Sequence, residues 1–583
     1  MRRLPATVIT FTFLFALAVT AAAQDSSTAA IRGTVTDATG ARIAGATVSA
    51  QRVATSYTRT VKADFTGTFT LSFLPPGEYS VRVEAPLMAP EVRLAVHAEV
   101  GATVELSFTL RIGGKNETVN VSAEVSAVDT QPSGLSTVIG QREIAEVPLN
   151  GRRWQDLTLH APGVTEDPRG LTSSSSGDLS FGGVRGYNST FLVDGVDNNN
   201  AFFGQARGRY RAPYQFSTEV VQEFRVSSNT YGAEFGRSSG AVVNVVTKSG
   251  TNQLHGTLMY YMRSSQFAAS NPFLTEKPPD HQHQFGFTLG GRLAKNRAYF
   301  FIGVDQHVFH SPVSVRFLNG SSVLVPGPKD SEITDQPLVD ATAAQLSSDL
   351  AGDFRAALLG NAAFAKFDYT LSSRQSLSGR VSVSRYYGAN NVFLDPTSPI
   401  TNKAVSENGE EDVATESASL ALTSALSGRF VSHMRAQLSR DLQSSAANTN
   451  DVLTRIADVI DGFGRSNILP RRTHERKLQL AETISLDGRR QTWKFGGDMV
   501  LTRIENYFPL LTGGEYIFDN IRVNPFTFVP SPFGLRLTPL RAYAHGVPRY
   551  YIQDFGTQDS HPDTNEFSLF VQDTIRVNSH LAI

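Results

Sequence analysis

The side chains that most often do covalent chemistry are absent from this sequence or scattered along it. Its 583 residues contain no cysteine, which removes thiolate nucleophiles, thiolate zinc sites, iron–sulfur clusters and disulfide scaffolds in one step. No phosphate-cradling loop or paired metal motif occurs either. No catalytic residue, metal or cofactor is therefore assigned, and the chain is not expected to be an enzyme. Three polar groupings remain. Residues 198–203 and then Arg207, Arg209, Tyr210 and Arg211, up to Tyr214, mix guanidinium groups with aromatic rings. Such a loop can stack on sugars or bases and hold anions through arginine forks, or it can pack against acidic groups of its own fold. His281 and His283 put two imidazoles on one strand face, but two ligands without a third make a poor metal site, and surface histidines are the other reading. Glu410, Glu411 and Asp412 read as a solvated loop, with calcium as the alternative.

These groups must be positioned by β structure. Charged residues make up 18% of the chain, against about 25% in ordinary soluble domains, while glycine (47 residues) and aromatics (10%) are plentiful. The 53 Lys+Arg and 54 Asp+Glu leave a formal charge of -1, so there is no general basic field for nucleic acid, and none is expected as a partner. At roughly 150 residues per domain the length allows about four domains. The N-terminus has Arg2-Arg3, an apolar run from Val8 to Val19, and Ala21-Ala22-Ala23: the parts of a secretory signal over 1–23, with cleavage expected after Ala23. That run is short of the roughly 20 residues a bilayer-spanning helix requires, as is every other segment. An exported chain of this kind is periplasmic, secreted, or inserted as a closed barrel.

Downstream, short period-two runs separated by turn residues predict a β-sandwich over 24–112: around Ile31, Val48, Phe69, Val81 and Val104, with Asp37-Ala38-Thr39-Gly40 and Leu74-Pro75-Pro76-Gly77 as turns. A linker over 113–122 carries Gly113-Gly114 and then Glu117, Thr118, Val119, Asn120 and Val121. An extended segment of this type can add to a partner's open sheet edge, or it is a last strand of the sandwich. Between 123 and 250 come Val138-Ile139-Gly140, then Val184-Arg185-Gly186-Tyr187, and an apolar strand running into Asp194-Gly195, which is a strong tight-turn signal. The run from Ala241 to Val246, containing Asn244, is apolar on both faces and should be buried on both.

The first of these regions resembles the carboxypeptidase regulatory-like domain, a seven-stranded sandwich with a carbohydrate-binding-like fold and, despite its name, no peptidase activity. A spacer or docking role and a sugar-binding role both fit it. The second resembles the plug domain of TonB-dependent outer-membrane receptors, closest to the Oar-like group, which places such a sandwich ahead of the plug. Arg185, Gly186, Asp194, Gly195 and Asn244 are the structural plug motif on that reading. The resemblance also makes 117–121 similar to the TonB box, so TonB with its inner-membrane energising complex is the implied partner. It places the loop of Arg207, Arg209, Tyr210 and Arg211 toward an extracellular ligand: an oligosaccharide, iron chelate or peptide.

Residues 251–583 should then be barrel wall in outer-membrane lipid. Phe285, Phe287 and Leu289 alternate with Gln284 and Thr288, Val381 and Val383 with Arg380 and Ser382, and Met434, Ala436 and Leu438 with Arg435 and Gln437. Trp493, Phe495, Met499 and Leu501 likewise alternate with Lys494 and Asp498. This is the apolar-out, polar-in pattern of membrane strands. Long polar loops are expected near 308–363, 386–415 and 506–565. The span holds about 10 to 12 strands, whereas plugged barrels of this kind have about 22. The expectation is therefore the N-terminal part of the barrel only, a fragment with open edges that would not insert properly as it stands. The fold class expected is mainly β: an N-terminal sandwich, a small α+β plug and a partial antiparallel transmembrane barrel. The function the resemblance implies is TonB-driven import across the cell outer membrane; the alternative is a non-transporting surface receptor, adhesin or secretion-linked protein of the same architecture.

Overall fold

The computed structural model describes residues 28–113, 119–122, 136–149, 152–167, 178–204, 206–207, 215–228, 231–267, 269, 277, 281–326, 335–392, 400–488 and 491–575. The signal segment lies outside them. The first unit has seven strands: β1 (Ala29–Asp37), β2 (Thr47–Arg52), β3 (Thr58–Lys62), β4 (Thr68–Leu74), β5 (Gly77–Glu84), β6 (Glu91–Ala98) and β7 (Thr103–Leu110). They form two sheets, β4-β1-β7 and β3-β2-β5-β6, closed on a core that includes Val48, Phe69, Leu71, Val81, Val96 and Phe108. The Asp37 carboxylate ties the first turn by accepting from the Thr39 and Ala41 amides at 2.8 and 2.9 Å. Gly33 is required where β1 and β7 pair in parallel, because a Cβ there would lie 2.1 Å from the Leu106 carbonyl oxygen. β3 and β6 escape the alternation pattern: β3 is the polar edge segment Thr-Arg-Thr-Val-Lys, and β6 carries a bulge, with Ala95 at φ 55°.

An added strand, β8 (Val119–Ser122), lies parallel to β6, with Val119 opposite Glu91 and Ser122 opposite Leu94. The following unit contains β9 (Ser136–Ile139), α1 (Gln141–Glu146), β10 (Val164–Asp167), β11 (Asp178–Phe181), β12 (Val184–Arg185), β13 (Thr190–Val193), β14 (Val196–Asp197), β15 (Val221–Ser227) and β16 (Val242–Thr247). Its main sheet runs β14-β13-β16-β15-β9. Every residue of β16 is buried, as its two apolar faces require. The β13–β14 hairpin closes through Asp194 (φ 49°) and Gly195 (φ 77°), the two successive positive-φ residues that a tight hairpin of this twist needs. Trp154 stacks on Phe216 and meets Phe224 edge-on in the core below.

The rest is one large antiparallel wall. Its long strands are β17 (His255–Ser264), β18 (His281–Ala294), β19 (Ala298–Val315), β20 (Gly352–Ser372), β21 (Gln375–Ala389), β22 (Gly409–Ala425), β23 (Phe430–Ala447), β24 (Arg471–Asp487), β25 (Gln491–Tyr507) and β26 (Thr564–Ile575), each paired with the next. Among the described residues β17 and β26 do not pair with each other. Outward positions are apolar and exposed (Phe285, Val381, Val383, Leu420, Met434, Leu438), whereas inward positions are polar and buried against the second unit (Gln284, Ser382, Gln437, Gln479).

The loops differ from expectation. Strand β19 runs to Val315 and β20 begins at Gly352, so the two ends of the expected loop 308–363 are sheet. Glu410, Glu411 and Asp412 lie on β22 and do not form a loop; Glu411 is buried 3.5 Å from Arg471, and Asp412 pairs with Arg385 at 2.7 Å. What lies between the strands is not loose either. Helix α2 (Gln336–Leu350), helix α3 (Pro539–Ala544) and the short strands Leu453–Ile456, Ile460–Phe463 and Glu515–Phe518 share an apolar core of Val339, Leu346, Ile456, Phe518, Leu537 and Leu540. The cap exists because an amphipathic helix and several apolar loop segments can bury one another only by folding together.

Candidate functional site

The polar seam between the second unit and the inner wall is where most buried charge is concentrated. At one end stands Asp194, aimed by its hairpin turn at the wall. Lys366 of β20 and Arg380 of β21 each lie 3.4 Å from it, and Thr247 gives it an amide at 2.9 Å and a hydroxyl at 2.8 Å. Burial pushes the Asp194 carboxyl up, but Lys366, Arg380 and the Thr247 bonds outweigh it, and the group sits below the ordinary carboxylate value.

Further along the seam, Asp197 is buried 2.7 Å from Lys477 of β24 and 2.9 Å from Arg237, while its amide donates to Gln479 and its carbonyl accepts from Gln437. Asn200 donates to Asp441 of β23 at 2.7 Å, and the Ala201 amide donates to Glu475 of β24 at 2.7 Å. Arg207 is buried, 2.7 Å from Glu475 and 3.6 Å from Asp441. Its guanidinium is committed to the inner wall and does not face open space. Arg209, Tyr210 and Arg211, the rest of the candidate ligand loop, lie outside the described residues. Glu234 pairs with Lys494 of β25, and beside these a polar cavity of about 450 Å³ is lined by Asp197, Arg237, Arg435, Gln479 and Asp498.

The other candidate residues are placed as follows. Arg185 is exposed, with its guanidinium over the Tyr187 ring at 5.9 Å, and Gly186 is buried beside it. Asn244 is buried in β16, opposite Leu192 and Arg225. Of residues 117–121, Glu117 and Thr118 lie outside the described residues, while Val119, Asn120 and Val121 form β8 on the sandwich edge. His281 and His283 lie on β18 on the outward side, and Tyr260 shares a 2.9 Å hydrogen bond with His283. Among the described residues no group of three potential metal ligands comes together.

Sequence reasoning did not foresee where the sandwich goes. It docks under the seam at the end of the short turns. Ser72 donates to Asp487 at 2.6 Å, Tyr299 donates to the Thr55 carbonyl, and Phe73 stacks on His433 with ring centres 5.9 Å apart. Toward the plug-like unit, the Val100 amide donates to Glu223 at 2.7 Å and Gln222 donates to the Pro76 carbonyl at 3.2 Å. Burial, reinforced by Glu99 against the Val100 hydrogen bond, pushes the Glu223 carboxyl up to about 7. The signal that could have flagged this docking is Pro75-Pro76, a stiff loop tip next to the buried Phe73.

Comparison with known proteins decides what this wall is. Residues 246–329 and 337–583, more than half of the chain, match the outer membrane beta barrel domain family. The chain belongs to that family. Residues 30–111 match the carboxypeptidase regulatory-like domain. As an outer membrane beta barrel, the wall turns its apolar face to lipid and its polar face to the lumen. The chain is 28% identical over 338 residues to the TonB-dependent transporter Oar of Myxococcus xanthus, covering 55% of this chain and 30% of that protein. It thus spans under a third of the length of that relative. Solved structures with a similar course include the outer membrane transporter YddB of Escherichia coli (TM-score 0.49, 12% identity, 76% of this chain and 54% of that one). Another is the siderophore receptor PirA of Acinetobacter baumannii (TM-score 0.48, 14% identity, 76% and 55%).

Proposed function

We propose that the protein is a TonB-dependent transporter of the outer membrane, in which 123–250 acts as a plug that must be moved from the lumen before a ligand passes. The supporting observation is the seam itself. The unit is held by discrete ion pairs (Asp194 with Lys366 and Arg380, Asp197 with Lys477, Arg207 with Glu475), beside one apolar contact in which Phe301 and Phe364 of the wall join its core. Polar seams of this type can be broken and reformed, because both sides find water when they part. Similarity to a protein named as a TonB-dependent transporter agrees with this reading. The extracellular ligand would be an oligosaccharide, iron chelate or peptide approaching from the cap side. Residues 117–121 would be the handle for TonB, by strand addition. The signal peptide would be removed after Ala23.

Because the natural chain has no cysteine, a single Val119→Cys substitution gives a unique reporter. In cells, it is expected to form a disulfide with a cysteine introduced into the strand-forming end of TonB, and deletion of 117–121 should abolish both the adduct and energy-dependent uptake. Unimpaired uptake after that deletion would reject the energised mechanism.

A further inference from the structure

The outward face of the wall carries a feature that transport does not use. The cross-strand register sets Glu416 of β22, Arg440 of β23, Arg476 of β24 and Arg503 of β25 side by side in one row. Neighbours in such a row stand about 5 Å apart, and like charges placed directly opposite one another destabilise a sheet. Three guanidinium groups in succession are an arrangement that calls for an anion. The carboxylates nearby stand at its margins: Glu416 is 3.9 Å from Arg440, Glu505 is 3.1 Å from Arg476, and Asp563 is 3.6 Å from Arg503. His474, one row further out, accepts from Arg440 at 3.0 Å without supplying a charge of opposite sign. All three arginine side chains stay at least half exposed.

The row directly beneath is wholly apolar: Ala418, Leu438, Leu478 and Leu501. With Val381 and Val383 these residues floor an open groove of about 620 Å³, along whose upper edge the arginines stand. Its height in the membrane follows from β25. From Trp493 to Leu501 its outward positions are Trp493, Phe495, Gly497, Met499 and Leu501. Eight residues at about 3.3 Å each, tilted by about 40°, rise about 20 Å, most of the apolar band of roughly 25 Å that such barrels present. The arginine row therefore lies where hydrocarbon gives way to head groups, on the side away from the sandwich.

We propose that this groove binds an anionic lipid of the outer leaflet, its phosphate groups held by Arg440, Arg476 and Arg503 and its acyl chains laid on Leu438, Leu478 and Leu501. Arginine forks suit phosphate oxygens, and basic clusters at a membrane edge gather anionic lipid. The apolar floor selects a lipid over free phosphate, which would use only the upper half of the site.

The test uses the protein purified in mild detergent and offered diphosphorylated lipid A or inorganic phosphate, with retained molecules read by native mass spectrometry. Wild type is expected to keep lipid A through detergent exchange, and inorganic phosphate is expected not to displace it. The combined Arg440→Gln, Arg476→Gln and Arg503→Gln variant should keep at least tenfold less, whereas Arg385→Gln, outward but outside the groove, should match wild type. Heat-modifiable migration on gels reports folding. Should the triple variant misfold, Arg476→Gln at the centre of the row carries the test, with a loss of at least threefold expected. Equal retention by a folded variant, displacement by inorganic phosphate, or a second copy of the protein in place of lipid would each overturn the proposal.

Discussion

At the scale of single residues, the seam is sensitive because its charges are out of water. Asp197 and Lys477 have side chains almost wholly buried and 2.7 Å apart. Removing Lys477 leaves the buried Asp197 with the part-exposed Arg237 opposite it and takes from Glu475 a cation 3.6 Å away, at a cost of up to about 3–5 kcal/mol, whereas replacing both Asp197 and Lys477 by neutral groups of similar volume costs less. Lys477→Met alone should therefore loosen the plug, and Asp197→Asn with Lys477→Met should restore much of the loss, as measured by denaturant unfolding in detergent. Glu223 makes a different prediction. Its carboxyl is pushed up to about 7 when the sandwich is docked, against an ordinary value of 4.5. The docked state thus binds more protons than the undocked one, so docking is favoured fully at low pH and weakens as the pH rises from about 4.5 through about 7. Hydrogen exchange at the Val100 amide should rise between pH 5.5 and 8 after correction for intrinsic exchange, and Glu223→Gln should flatten that dependence.

At the scale of elements, legibility followed periodicity. The wall strands were readable because each alternates an apolar outward residue with a polar inward one, as at Phe495, Met499 and Leu501 against Lys494 and Asp498. The hairpin at Asp194-Gly195 was readable because only a few residues accept two successive positive φ angles. Elements whose partners are remote in sequence were not readable. The edge strand β3 and bulged β6 lack clean alternation, and Glu410, Glu411 and Asp412 appeared to be a loop because an acidic cluster ordinarily faces water; here Arg471 and Arg385 meet it across the wall. The pairing of Arg207 with Glu475 spans 268 positions, a distance over which local pattern says nothing. The cap was missed for the same reason: Val339, Ile456 and Leu537 come from three separate connections. Because Leu537 is fully buried there, Leu537→Ala should cost the cap about 2–5 kcal/mol. Limited proteolysis of intact cells should then cut the surface loops faster while the wall strands stay protected.

At the scale of the whole molecule, three units are stacked along the barrel axis: cap, proposed plug and sandwich. The sandwich touches both the plug (Val100 with Glu223) and the rim of the wall (Ser72 with Asp487), so neither can shift far while it stays in place. Joining Ser72→Cys to Asp487→Cys with a short thiol crosslinker should therefore arrest uptake without lowering surface binding of ligand, and reduction of a cleavable linker should restore it. Strand β8 has a mechanical consequence. Among the described residues, four backbone positions zip Val119–Ser122 to the sandwich edge, whereas five strands hold the sheet of the following unit together. Tension applied to this stretch of chain would peel the short zipper first, so under the proposed mechanism it is a fuse: a weak tug is absorbed by the front domain, and only a sustained one reaches the unit behind it.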